Sequence, residues 1–92
     1  MEHKIKMMAA STVALNFLRT HSKVTDEELL QHVSDYILDE RIKDYDVKFG
    51  MIAAATETYK IFLKESKLTD REILRKVMER IPYILENMGP SK

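Results

Sequence analysis

Apolar residues recur along this chain at steps of three and four, the period of an α-helix. Ile5, Met8, Leu15 and Leu18, with Thr12 on the same line, form a first stretch, and Leu29, Leu30, Val33 and Ile37 a second. Ile52, Ala55, Tyr59 and Phe62 form a third, and Ile73, Leu74, Val77 and Ile81 a fourth. The second and fourth stretches are each introduced by a start signal, Thr25 with Glu28 and Thr69 with Glu72. In such a capping box the Thr hydroxyl accepts from the third helical amide while the Glu carboxylate reaches back to the Thr amide. Asp26 and Asp70 add negative charge where the helix dipole favours it. The pattern predicts four helices, the first and third ending near Ser22 and Ser66.

The two halves resemble one another. Residues 4–38 align without gaps on residues 48–82, an offset of 44, with 13 of 35 positions identical. The longest match sets Ser22-Lys23-Val24-Thr25-Asp26-Glu27-Glu28-Leu29-Leu30 on Ser66-Lys67-Leu68-Thr69-Asp70-Arg71-Glu72-Ile73-Leu74. Lys4, Met7, Ala9, Ala10 and Thr12 recur as Lys48, Met51, Ala53, Ala54 and Thr56. Val33 and Ile37 recur as Val77 and Ile81. Two copies fall short of the three or more that helical solenoids need, so a closed pair is expected. Small residues cluster at matched places, Ala9, Ala10, Ser11 and Ala14 against Ala53, Ala54 and Ala55. Short side chains let helix axes approach closely, so helices one and three are expected to cross there about a pseudo-two-fold axis. Alanine's helix propensity is the competing account.

The resulting expectation is an all-α single domain over 1–92, two tandem helical hairpins packed as a compact four-helix domain. Repeat 1 covers about 4–38, a linker about 39–47, repeat 2 about 48–82 and a tail 83–92. The charged linker contains no Gly or Pro, so helix two is expected to run on to about Lys43. Pro82 stands where the first copy has Leu38 and should kink or restart helix four. Tyr83, Ile84, Leu85 and Met88 would then lie on a short extra C-terminal helical segment, stopped by Gly89-Pro90.

Composition narrows the function classes. Apolar residues are 45% of the chain and charged ones 33%, which suits a globular domain. Only 2 Gly and 2 Pro argue against a β-rich fold with many tight turns. The absence of Cys removes disulfides and thiolate metal sites. Residues 1–6 hold no apolar run long enough for a signal peptide, and no stretch approaches the roughly 18 apolar residues of a membrane span. The expectation is a cytoplasmic protein with no membrane partner. Fifteen Lys and Arg balance fifteen Asp and Glu, which disfavours a binder driven by bulk positive charge.

That balance hides an uneven distribution. Residues 25–46 carry eight acids (Asp26, Glu27, Glu28, Asp35, Asp39, Glu40, Asp44 and Asp46) against Arg41 and Lys43, net −6. Residues 60–80 carry Lys60, Lys64, Lys67, Arg71, Arg75, Lys76 and Arg80 against four acids, net +3. One reading is a solvated face whose charges find partners on neighbouring helices. The other is an interaction surface, for an acidic protein or for the acidic half of a second copy in an isologous dimer. A nucleic-acid reading is also open. Arg71, Arg75 and Lys76 would meet base edges and Lys60, Lys64 and Lys67 phosphates, as in a helix–turn–helix. Against it, the matched residues of the first copy are Glu27, Gln31 and His32, and the turn lacks Gly. Tyr36 and Tyr45, beside or within the acidic linker, are candidate exposed interface aromatics.

No catalytic constellation emerges: there is neither a Gly-flanked Ser elbow nor a Gly-rich phosphate loop. Glu28 and His32 share a helix face but lack the further ligands a metal needs, and His21 suits a helix C-terminus. Arg19 and Lys60 are the basic residues nearest apolar faces, too few to hold an anionic substrate. The methionines Met7, Met8, Met51, Met78 and Met88 are expected to fill core, an exposed Met-rich groove for a partner helix being the functional alternative. The function expected is a non-enzymatic regulator or adaptor without cofactor or metal, acting through protein–protein interaction and as a homodimer. A small DNA-binding regulator using 60–80 is the alternative.

Overall fold

A computed structural model describes residues 2–65 and 67–88. Four helices follow in order: α1 (Glu2–Thr20), α2 (Asp26–Asp39), α3 (Tyr45–Lys64) and α4 (Asp70–Met88), with no strand among the described residues. Both start signals form. The Thr25 hydroxyl accepts from the Glu28 amide at 3.1 Å while Glu28 Oε1 accepts from the Thr25 amide at 2.9 Å. Thr69 and Glu72 repeat this exchange at 3.2 and 2.9 Å. α1 ends at Thr20 and α3 at Lys64, each two residues before the serine expected to mark its end, while the Gly89-Pro90 stop lies outside the described residues.

Helix two stops at Asp39, short of the expected Lys43, and the reason is local backbone geometry. Glu40 caps it and Arg41 takes a left-handed conformation, φ 57°. The Arg41 amide then donates to the Leu38 carbonyl and the Ile42 amide to the Ile37 carbonyl. This pair of bonds is a Schellman stop, with apolar Ile42 folded back onto the core that holds Ile37. The stop ordinarily uses Gly, so a sequence search for Gly passes over it. Arg41 bears the Cβ strain of that conformation. Arg41→Gly should therefore raise the unfolding free energy by about 1 kcal/mol, read by urea denaturation; an unchanged midpoint would show that Arg41 carries no strain. Three residues on, Asp44 caps α3, its Oδ1 accepting from the amides of Asp46 and Val47 at 2.9 and 3.3 Å. Part of the expected linker thus belongs to α3.

α1 and α3 share the most extensive contact in the molecule. Ala10, Ala14, Ala54 and Ala55 are wholly buried between the layers, and Ser11 Oγ reaches the Ala54 carbonyl at 3.3 Å. Thr58 Oγ1 bonds the same carbonyl at 2.8 Å, so both buried hydroxyls are satisfied. α2 lays Leu29, Val33 and Ile37 over one side of this pair, packing on Ala10, Ala14, Leu18, Val47, Met51 and Ala55. α4 lays Ile73, Val77 and Ile81 over Met7, Leu15, Ala54 and Ile61. Each outer helix touches both inner ones, whereas α2 and α4 do not touch among the described residues. The Cα radius of gyration of 12.5 Å is that of a compact chain this long.

Pro82 does not divide the fourth helix. α4 runs through it as a single helix to Met88, so no separate C-terminal segment forms. Ile81 is buried and Ile84 and Leu85 pack on the second core, while the proline ring lies on the exposed side. Burial of these side chains offsets the hydrogen bond that Pro82 cannot donate.

Candidate interaction surface

The seven basic residues of 60–80 fall into two groups that the sequence does not separate. Lys60 and Lys64 on α3 share a surface recess with Lys76 and Arg80 on α4, and Glu57, Glu65 and Glu79 stand among them. Lys76 Nζ lies 3.7 Å from Glu65 and Arg80 Nε 3.4 Å from Glu57. The Arg80 guanidinium also sits over the Tyr83 ring, 5.1 Å from its centre. Exposed pairs of this kind contribute little stability, roughly 0–1 kcal/mol, yet they neutralise much of this half of the basic face. Lys67 is exposed in the turn before α4.

Arg71 and Arg75 are placed differently. They project from the exposed side of α4 beside an open groove between α1 and α4, lined by Met8, Leu74 and Met78. No ion pair engages either arginine among the described residues. Glu72 is held below the ordinary carboxylate range first by the Thr69 amide and hydroxyl and then by Arg75 and Lys76. Met78, expected in the core, is 45% exposed.

The acidic segment is equally unpaired. No ion pair joins residues 25–46 to 60–80, or to any other base, among the described residues. Glu28 is spent on its capping box. Tyr45 is exposed as expected of an interface aromatic, but Tyr36 is half-buried against the first core. Burial, followed by nearby Glu40, raises the Tyr36 phenol above its ordinary value. Beside the acids, α2 presents Leu30 and Leu38 to solvent, Leu38 at 71%. Leu30 belongs to the apolar pattern of the second stretch yet lies outside the core. The available signal was that Leu29, Val33 and Ile37 already complete a buried seam, which leaves Leu30 and Leu38 surplus.

The remaining polar residues are structural. Arg19 Nε donates to Asp70 Oδ1 at 2.7 Å and its Nη2 to the Leu68 carbonyl at 2.8 Å, with the guanidinium over Phe62. It clamps the end of α1 to the start of α4. The Tyr59 hydroxyl donates to the Val24 carbonyl at 2.8 Å, fixing the α1–α2 turn on α3. His32 stacks on Phe17 with ring centres 4.2 Å apart, the His21 ring lies tilted against it at 4.4 Å, and His21 Nδ1 lies 3.1 Å from the Phe17 carbonyl at the end of α1. Among the described residues no three His, Asp or Glu side chains group as metal ligands, and no helix is long and apolar enough to cross a membrane. No family model matches the chain, and neither a curated protein nor a solved structure matches it significantly.

Proposed function

We propose that this chain is a non-enzymatic cytoplasmic regulator or adaptor that works by binding protein and that self-associates. The observation that carries the reading is the separation of charge. An acidic α2 with its following turn and the seven bases of 60–80, on the end of α3, the next turn and α4, sit on the same small molecule with no ion pair between them among the described residues. Opposite fields held apart in this way steer association and select partners. Self-association also suits the size, because a chain this short buries only about 60–65% of its unfolded surface by itself.

We further read the four helices as two copies of one hairpin. Burial supports this: Met7 and Met51, Ala10 and Ala54, Leu29 and Ile73, Val33 and Val77, and Ile37 and Ile81 are matched pairs and all are buried. The charges then diverged on a shared scaffold, Glu27 against Arg71 and Gln31 against Arg75. A DNA-binding regulator draws on Arg71, Arg75 and Lys76 near the start of α4, but Glu57, Glu65 and Glu79 among the neighbouring lysines would repel phosphate.

Sedimentation of the pure chain should give a mass near twice 10.8 kDa that falls toward one copy in high salt. A tagged copy should retain a protein from nuclease-treated lysate, and the combined change Arg71→Glu, Arg75→Glu, Arg80→Glu should release it while leaving helicity intact. Retention lost with nuclease, together with duplex binding that falls steeply with salt, would replace this reading by the DNA-binding one.

A further inference from the structure

We propose that the α1–α4 groove is the seat for α2 of a second copy, an assignment that rests on the self-association reading above. Two adjacent lines run along the outer face of each helix. On α4 one line holds Arg71 and Arg75 and ends at Glu79, and the next holds Leu74 and Met78 and ends at Pro82, with Met8 of α1 widening the apolar strip. On α2 one line holds Glu27, Gln31 and Asp35 and the next holds Leu30, Ser34 and Leu38. Residues four apart share such a line because a helix turns every 3.6 residues.

The two faces complement one another over the stretch that holds Arg71 and Arg75, with Glu79 lying beyond it. Glu27 and Asp35 are exposed and in no ion pair among the described residues, as are Arg71 and Arg75. The Gln31 amide donates to Asp35 Oδ1 at 3.0 Å, which holds that carboxylate on the acidic line. Leu30 and Leu38 are 39% and 71% exposed and stand either side of small Ser34, a notch that suits the long, adaptable Met78 side chain. Within one chain the faces do not meet, since α2 and α4 do not touch among the described residues. Between two copies they can, and a dimer that closes isologously would make the α2–α4 contact twice. Apolar area drives the contact, and the charge lines set which faces meet.

The test is a charge exchange between two variants of the full chain. One carries Arg71→Glu and Arg75→Glu, the other Glu27→Lys and Asp35→Lys. All four positions are exposed, and circular dichroism checks that each variant keeps its helices. In sedimentation equilibrium each variant alone should associate at least about tenfold more weakly than the unaltered chain, because like charges then oppose. An equal mixture should recover association, since every reversed line faces a reversed partner. Leu38→Ser should weaken association with no change of charge. If the unaltered chain associates and the charge variants associate equally well, this seat is overturned while self-association stands. If the unaltered chain stays monomeric at every concentration, both fall.

Discussion

Replacing Ala54 by Leu should lower the unfolding free energy by about 3 kcal/mol, the upper end of the usual overpacking penalty. Ala54 has no exposed surface and packs among Met7, Leu15, Ile61 and the buried seam of α4. Its own carbonyl receives the Ser11 hydroxyl from α1 at 3.3 Å, so the two backbones are in near contact at this point. Three added carbons have no void to enter, and α1 must move away from α3. That movement also breaks the Ser11 bond and leaves a buried hydroxyl without its partner. Ala53→Leu is the matched control: it makes the same chemical change one residue away, where the side chain is half-buried. Leu and Ala have nearly equal helix propensity, so propensity does not separate the two variants. Urea denaturation followed by circular dichroism reads both. Equal midpoints would show that the small-residue cluster serves helix propensity and not close approach of the helices.

Some features were legible in the chain because they are local and doubly signalled. Each capping box needs two residues three apart, and Thr25 with Glu28 and Thr69 with Glu72 meet the requirement beside an apolar seam. The extensive contact of α1 with α3 agrees with the matched runs of small residues. The end of α2 was not legible, because the left-handed residue there is Arg41 and the stop is recognised only from its two backbone bonds. The exposure of Leu30 is not legible because Leu29 and Leu30 are neighbours, and only the rotation of α2 on its partners decides which is buried. The basic surface was visible as a count of charges. Its division was not, since Lys76 and Arg80 find Glu65 and Glu57 only once α3 lies beside α4, while Arg71 and Arg75 point past it. A segmental net charge cannot report which of its members are already paired.

Pro82 gives the second large effect, with the opposite sign. Pro82→Ala should raise the unfolding free energy by about 2–3 kcal/mol, close to the full difference between these residues inside a helix. The proline is on the exposed side of α4, so removing its ring opens no cavity in either core. Alanine supplies the missing amide, which can donate to the Met78 carbonyl one turn earlier, and it removes the clash of the ring with that turn. The helix continues through the site despite these costs because Ile81, Ile84 and Leu85 on either side are held by the second core. Conditions that weaken burial should therefore act first beyond Pro82. In a domain of this size each kcal/mol shifts the melting temperature by roughly 4–8 °C, so the variant should melt about 10 °C higher or more. Hydrogen exchange of the amides from Tyr83 to Glu86 should slow in parallel. A variant with unchanged melting and unchanged exchange would mean that the last turns of α4 are held wholly by side-chain packing, with the broken ladder costing nothing.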